Sequence, residues 1–297
     1  MSIRRFLMLI VCVPLLVLGG AKLAGITIPV PEWERDYVLR FPIAAPSVVA
    51  EPLQLPEILG PEDETRPLIV LDAGHGGRDP GAVSRLRDGT EVFEKDIALA
   101  LTLELRDRLL AQGGVRVALT RDSDRLVPLA YRPEIARLLN ADLFLSIHAD
   151  SAGELSDVSG ASIYTLSNEA SSEAAARFAE RENAADRLNG IIVEGQSEVV
   201  SDILVELSQQ RIQEEASEFS SLIAREGDGV IAFHPEARRS AALAVLRAPD
   251  VPGVLFESGF VTNEEDLARL ITQDGRGAYA DVLARAIRVY FARQSNR

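Results

Sequence analysis

Residues 69–83 read IVLDAGHGGRDPGAV. The apolar run that starts at Leu68 and ends in Asp72 has β-branched members and no polar interruption. That is the pattern of a short strand buried on both faces, as in a parallel sheet. Gly74, Gly76 and Gly77 then box in His75. Glycine lets the backbone leave a strand sharply and lets other groups come close to it. The stretch therefore predicts a strand that delivers His75 to its carboxyl end. With three histidines in 297 residues, this placement calls for a chemical reason.

The same alternation continues downstream. In residues 94–114, EKDIALALTLELRDRLLAQGG, Ile97, Leu101, Leu105 and Leu109 recur every four residues, and Gly113 stands where a helix stops. VRVALT (115–120) reads as a strand, PLAYRPEIARLLNA (128–141) as a helix and DLFLSIHAD (142–150) as another buried strand. GASIYTLS (160–167), AALAVLRA (241–248) and GVLFESGF (253–260) read as further strands. NEEDLARLI (263–271) and GRGAYADVLARAIRVYFARQ (275–294) read as amphipathic helices. Strands alternating with helices predict an α/β fold, a mainly parallel twisted sheet with helices on both faces. Between the strands lies a long helical, strongly acidic segment, about 180–228, expected to be an insertion or helical cap.

The first 67 residues are of another kind. Arg4 and Arg5 precede the apolar run FLMLIVCVPLLVL (6–18), which small residues follow. Residues 1–24 thus read as an export signal, either cleaved or kept as an anchor, and place the chain in the periplasm. The lone cysteine, Cys12, lies inside this segment, so neither disulfides nor thiol chemistry are expected downstream. Residues 25–67 hold prolines from Pro29 to Pro67 and read as an extended linker, leaving 68–297 as the catalytic domain. The net charge of −14 argues against nucleic acid or an anionic membrane surface as a partner.

In open α/β sheets ligands collect at the carboxyl ends of the strands. His75 follows the first strand, His148 ends DLFLSI, Glu257 ends GVLF, and Glu94 opens the helix after the first strand. Two histidines and two carboxylates at one rim suit a catalytic zinc site: three protein ligands, one open position and a further carboxylate to move protons. Each residue alone has a plainer explanation, such as a charge at a helix start for Glu94. Their coincidence at one edge carries the reading. His234, in FHPEARRS, is expected to be an exposed loop residue.

The blocks LDAGHGGRDPGAV, EKDIALAL, SIHAD and APDVPGVLFESGFVTNEEDLARL, in this order, resemble the zinc-dependent N-acetylmuramoyl-L-alanine amidases of type 3, from about residue 68 to the carboxyl end. The resemblance implies one zinc per chain held by His75, Glu94 and His148, with Glu257 as the catalytic glutamate and Glu91 as a weaker competitor for Glu94. It implies hydrolysis of the amide between N-acetylmuramic acid and L-alanine in peptidoglycan, serving wall remodelling and daughter-cell separation. Arg132 matches a family arginine of structural or substrate-binding role. Some division-associated members carry a helical segment that covers the cleft until an activator protein docks. By that likeness Asp186 is the expected blocking carboxylate and Glu182, four residues earlier, the runner-up. Ile192, Val199, Val200, Ile203, Leu204 and Leu207 would form the docking face. The competing readings are another zinc peptidase acting on stem peptides and a non-catalytic wall-binding scaffold.

Overall fold

The computed structural model describes residues 48–49, 53–153, 155–192 and 206–295. Six strands form the central sheet: β1 (Leu68–Ala73), β2 (Arg116–Leu119), β3 (Leu143–Asp150), β4 (Ala161–Leu166), β5 (Phe233–Ala241) and β6 (Gly253–Phe260). Their spatial order is β2-β1-β3-β6-β4-β5. β2, β1, β3 and β6 run parallel, whereas β4 is antiparallel to β6 and parallel to β5. The mainly parallel α/β sheet expected from the sequence is present.

Strand side chains alternate between faces, and here each face buries its own core. Ile69, Leu71, Leu145, Ile147 and Phe256 lie in one cluster with helices α1 (Glu94–Gln112), α5 (Glu206–Gly227) and α7 (Gln273–Gln294). Leu68, Val70, Phe144, Tyr164 and Leu255 lie in the other, with α2 (Tyr131–Leu138) and α3 (Glu173–Asn183). Following the second parity toward the carboxyl ends of the strands leads to Asp72, Ser146, His148 and Glu257. The polar residues of the rim are the continuation of one apolar face. The short helices α4 (Ala185–Leu188) and α6 (Glu264–Leu270) complete the set.

Three expectations change. AALAVLRA is not a strand: β5 ends at Ala241, and a 3-10 turn, Ala244–Leu246, follows. The apolar run was misleading because Leu243, Val245 and Leu246 pack the turn into the core. The true strand, FHPEARRSA, is charged because it forms the edge of the sheet, where charged side chains protect unpaired backbone. Second, the acidic segment is not one cap. Its latter half, α5, buries Ala216, Phe219, Leu222 and Ile223 in the core, a helical spacing, and packs on α7. Third, part of the expected linker touches the domain: Leu59 exchanges backbone hydrogen bonds of 2.8 and 2.9 Å with Val117. Residues 1–24, Val199, Val200, Ile203 and Leu204 lie outside the described residues, as do the side chains of Ile192 and Leu207.

If α5 is a core helix, Phe219→Ala should destabilise the domain by about 3–5 kcal/mol, the usual range for a buried phenylalanine. Urea unfolding measures it; a loss below about 1 kcal/mol would return α5 to the status of a peripheral cap.

Candidate metal and catalytic centre

His75 adopts φ 59°, a left-handed conformation uncommon outside glycine. Two arginines brace this turn from below. Arg132 donates to the Ala73 and His75 carbonyls, both at 2.7 Å, and to Asp72 Oδ1 at 2.7 Å. Arg121 donates to the Ala73 carbonyl at 2.9 Å and the Gly74 carbonyl at 2.8 Å. Asp72 also accepts from the Thr120 and Ser146 hydroxyls, both at 2.6 Å. Burial pushes the Asp72 carboxyl up, but Arg132 and the two hydroxyls outweigh it and hold it below the usual range. Burial, with Arg132 nearby, lowers Arg121 to about 10.

The imidazole is then fixed by Asp79, whose Oδ2 lies 2.8 Å from Nδ1. Nε2 is buried and has no hydrogen-bond partner among the described residues. A ligating histidine has this arrangement: one ring nitrogen held by an oxygen, the other free for a metal. Glu94 is the first residue of α1, and the backbone N–H groups of Ala82 (2.7 Å) and Ala149 (3.1 Å) fix its two oxygens. Its Oε1 stands 3.0 Å from His75 Nε2 and 2.9 Å from His148 Nδ1. Burial alone would raise Glu94, yet the two histidines hold it well below the carboxylate norm; Glu94 and Asp79 in turn hold His75 well above its own, against burial.

Two glycines are required by contact. A Cβ at Gly74 would meet the His148 ring at 2.4 Å, and one at Gly81 would meet Glu94 Oε2 and His75 Cδ2 at 2.6 Å. Gly81 also has φ +65°.

Glu182, at the end of α3, completes the cluster. Its Oε2 lies 3.7 Å from His75 Nε2 and 3.8 Å from His148 Nδ1. Zinc with bonds of about 2.0–2.1 Å sets tetrahedral ligand atoms roughly 3.3 Å apart. The separations of 2.9 to 3.8 Å bracket that value. The donor set also suits zinc: imidazole nitrogens and carboxylate oxygens, all buried. Glu257, level with His148 in the β3–β6 register, is 1% exposed, and neither oxygen has a hydrogen-bond partner among the described residues. Burial, then Asp150, Glu94 and Glu182, push its carboxyl well above the usual range. Asp150 is likewise pushed up to about 6 by burial, although Arg181 pairs with it at 2.5 Å. Buried carboxylates outnumber cations here, an arrangement that favours a divalent ion.

The structure thus gathers His75, Glu94, His148 and Glu257 at one rim, with Arg132 beneath them. It brings Glu182, not Asp186, against the imidazoles. α3 ends at Asn183, so the two acids do not share one helical face. Asp186 Oδ2 instead accepts from the Leu129 N–H at 2.9 Å. Glu91 is exposed and paired with Arg85 at 2.5 Å, away from the cluster. His234 is half-buried in β5 rather than in an exposed loop. No sequence pattern marks Arg121, Asp150 and Arg181, whose roles arise from folded contacts alone.

A family described as N-acetylmuramoyl-L-alanine amidase matches residues 69–289. The amidase AmiA of Escherichia coli K12 is 36% identical over 225 residues, 75% of this chain and 76% of AmiA. AmiC of Escherichia coli O6:H1 is 32% identical over 235 residues, 78% of this chain; the match spans only 55% of AmiC. Among solved structures, AmiC2 of Nostoc punctiforme aligns with TM-score 0.53 and 29% identity, covering 76% of this chain and 98% of that one. The CwlD amidase of Clostridioides difficile, in complex with the GerS lipoprotein, aligns with TM-score 0.56 and 26% identity over 76% and 98%.

Removing the arginine brace should be costly. Arg132→Leu leaves Asp72 buried and unpaired, so a loss of about 3–5 kcal/mol is expected. Denaturant unfolding measures it, and a change under about 1 kcal/mol would show that Arg132 is free for substrate instead.

Proposed function

The chain belongs to the type 3 N-acetylmuramoyl-L-alanine amidases, enzymes of peptidoglycan degradation, and from that membership we propose that it is a zinc enzyme. On this reading it cleaves the amide joining N-acetylmuramic acid to L-alanine, after export to the periplasm, in wall remodelling and daughter-cell separation. His75, Glu94 and His148 hold the metal, and Glu257 is the general acid–base. The observation that carries the reading is the convergence of buried donor atoms of His75, His148 and Glu182, with Glu94 between the two imidazoles, beside the buried carboxylate of Glu257, which has no hydrogen-bond partner among the described residues.

When bound, zinc supplies Lewis acidity toward the scissile carbonyl and acidifies a water to a pKa of about 7. The chain's own residues supply the rest. Glu257 takes the proton from the attacking water and returns it to the leaving amine of L-alanine. Asp79 holds His75 in the tautomer that presents Nε2, and the Ala82 and Ala149 amides keep Glu94 aimed between the imidazoles.

We further propose that this structure is the shut state. The cavity between His75, His148, Glu182, Asp186 and Arg132 measures about 20 Å³. That is room for one water-sized sphere, far short of the several hundred Å³ a ligand needs. Glu182 occupies the position that water would need, so α3 must move before a glycopeptide enters. An activator protein docking on the segment that follows α4 is the proposed trigger. That the CwlD amidase of Clostridioides difficile forms a complex with the GerS lipoprotein supports a protein partner for this chain.

Purified protein should contain about one zinc per chain, lost in His75→Ala and with chelator. Glu257→Ala should keep the zinc and lose turnover by a factor on the order of a hundred or more. Full activity without metal would exclude the zinc mechanism, and zinc loss in Glu257→Ala would make Glu257 a ligand.

Basal release of dye-labelled peptidoglycan should rise several-fold in Glu182→Ala, by about the factor expected when a ligand competitor is removed. Asp186→Ala, which loosens α4 at Leu129, should raise it less. Unchanged rates in both variants and in a deletion of residues 190–209 would leave α3 a purely structural element.

A further inference from the structure

A second cluster lies one strand beyond Glu257. In the antiparallel β4–β6 register, Ser162 stands opposite Glu257 and Tyr164 opposite Leu255. Tyr164 therefore shares the face of Glu257. On the outer side, Tyr164 is level with Arg239 of β5. The β4–β5 register slips between Ala161–Phe233 and Ile163–Arg238, so residues 234–237 bulge out. The bulge turns His234 back toward Arg239.

Arg239 is 8% exposed. Its Nη1 donates to the Tyr164 hydroxyl at 3.0 Å, and its Nε donates to the Glu236 carbonyl at 3.0 Å. Its Nη2 lies 2.8 Å from His234 Nδ1 and 3.1 Å from its Nε2. No carboxylate among the described residues pairs with it. A buried arginine ordinarily has an acid partner. Arg121, the other buried arginine without one, spends its donors on four backbone carbonyls. Arg239 spends three of the five N–H groups of a guanidinium.

Its neighbours are donors too. The Tyr164 oxygen accepts from Arg239, so its own proton is left to give. Burial first, with Asp150 and Glu257 adding, pushes that hydroxyl up to about 12, which keeps the proton in place. His234 Nδ1 accepts the Glu236 N–H at 3.0 Å, so a neutral ring carries its proton on Nε2. Burial and Arg239 lower His234, against the opposing pull of Glu236, and so favour that neutral form. Guanidinium, phenol and imidazole thus meet with donors in excess, and among the described residues no carboxylate is hydrogen-bonded to any of the three, although Glu236 acts on His234 and Asp150 and Glu257 act on Tyr164 through space.

We propose that Arg239, Tyr164 and His234 form an anion-binding subsite beside Glu257 that takes a carboxylate of the peptide part of the substrate. The assignment rests on the amidase reading above and deepens it. A carboxylate bound there ties the peptide down on the β4–β5 side while the scissile amide lies between Glu257 and the histidines. A charged acceptor suits a guanidinium with unspent N–H groups, and such bonds are about twice as strong as neutral ones. Tyr164 also stacks on Phe178 of α3, centroids 4.4 Å apart, so the subsite and the shut helix share one wall.

The test uses two synthetic muramoyl-peptides that differ only in stem carboxylates left free or converted to carboxamides. Hydrolysis is followed for the wild type, Arg239→Gln, Tyr164→Phe and, as a neighbour control, the exposed Arg238→Gln, each also in the Glu182→Ala background. The wild type should favour the free acid by about tenfold or more in kcat/KM. Arg239→Gln should abolish that preference through KM, with the carboxamide substrate changed less than about twofold. Tyr164→Phe, which keeps the ring packing, should reduce the preference in the same direction, and Arg238→Gln should retain it. Equal losses on both substrates, or a preference untouched by Arg239→Gln, would overturn the subsite and leave Arg239 structural. Calorimetric binding of the two free peptides separates the two readings. Arg239-dependent binding of the acid without hydrolysis of either substrate would sink the amidase reading and keep the subsite. Hydrolysis without Arg239-dependent binding would do the reverse.

Discussion

The bond set of Arg132 is the constraint on which the centre depends. One guanidinium neutralises Asp72 inside the sheet and holds the carbonyls of Ala73 and His75. Without it the chain would have little reason to keep His75 at φ 59°, a conformation that carries a cost for a residue with a side chain. Because the same arginine serves the strand and the turn, the sheet's rigidity is passed directly to a loop. A loop residue thereby acquires the positional precision of a strand residue. His148 and Glu257 need no such device, since they stand within β3 and β6 and are level with one another.

The second feature of the centre is its charge. Glu94, Asp79, Glu182, Glu257 and Asp150 are all buried, and Arg132 and Arg181 are the cations near them. Glu94 and Glu257 are pulled in opposite directions according to company. Glu94 is lowered beside two imidazoles, while Glu257, with no hydrogen-bond partner among the described residues, is raised. Two carboxylates in one site with opposed proton affinities is the arrangement by which one group serves as a ligand and the other handles protons. The proposed roles of Glu94 and Glu257 follow this division.

Much of this was legible in the sequence because it depends on period and on strand ends. LIVLD and DLFLSIHAD announce fully buried strands, and the residues at their carboxyl ends fall at one edge by the topology of a parallel sheet. What was illegible depends on contacts between distant residues. FHPEARRSA carries no strand period because an edge strand is specified by its partner and by its charges. Glu182 and Asp186 could not be ranked by counting turns, since α3 stops between them at Asn183. Arg121 reads as any surface arginine until β2 places it under the turn at Gly74.

Closure and recognition are joined through α3. At its carboxyl end Glu182 faces the imidazoles, Arg181 pairs with Asp150, and Asn183 donates to the Ala242 carbonyl at 2.8 Å. One turn earlier Phe178 lies on Tyr164. A movement that withdraws Glu182 would therefore strain three further contacts, so the proposed shut state would not rest on one carboxylate. The same movement would uncover Tyr164, whose hydroxyl Arg239 already holds in place. Exposure of the proposed zinc position and of the proposed carboxylate subsite would then be a single event. A ligand that prefers the open form lowers the cost of reaching it by the free energy of that preference. Substrate bearing a carboxylate and a partner acting on the segment after α4 would thus draw on the same equilibrium. Each would strengthen the other without touching it, because binding free energies coupled through one conformational change are reciprocal.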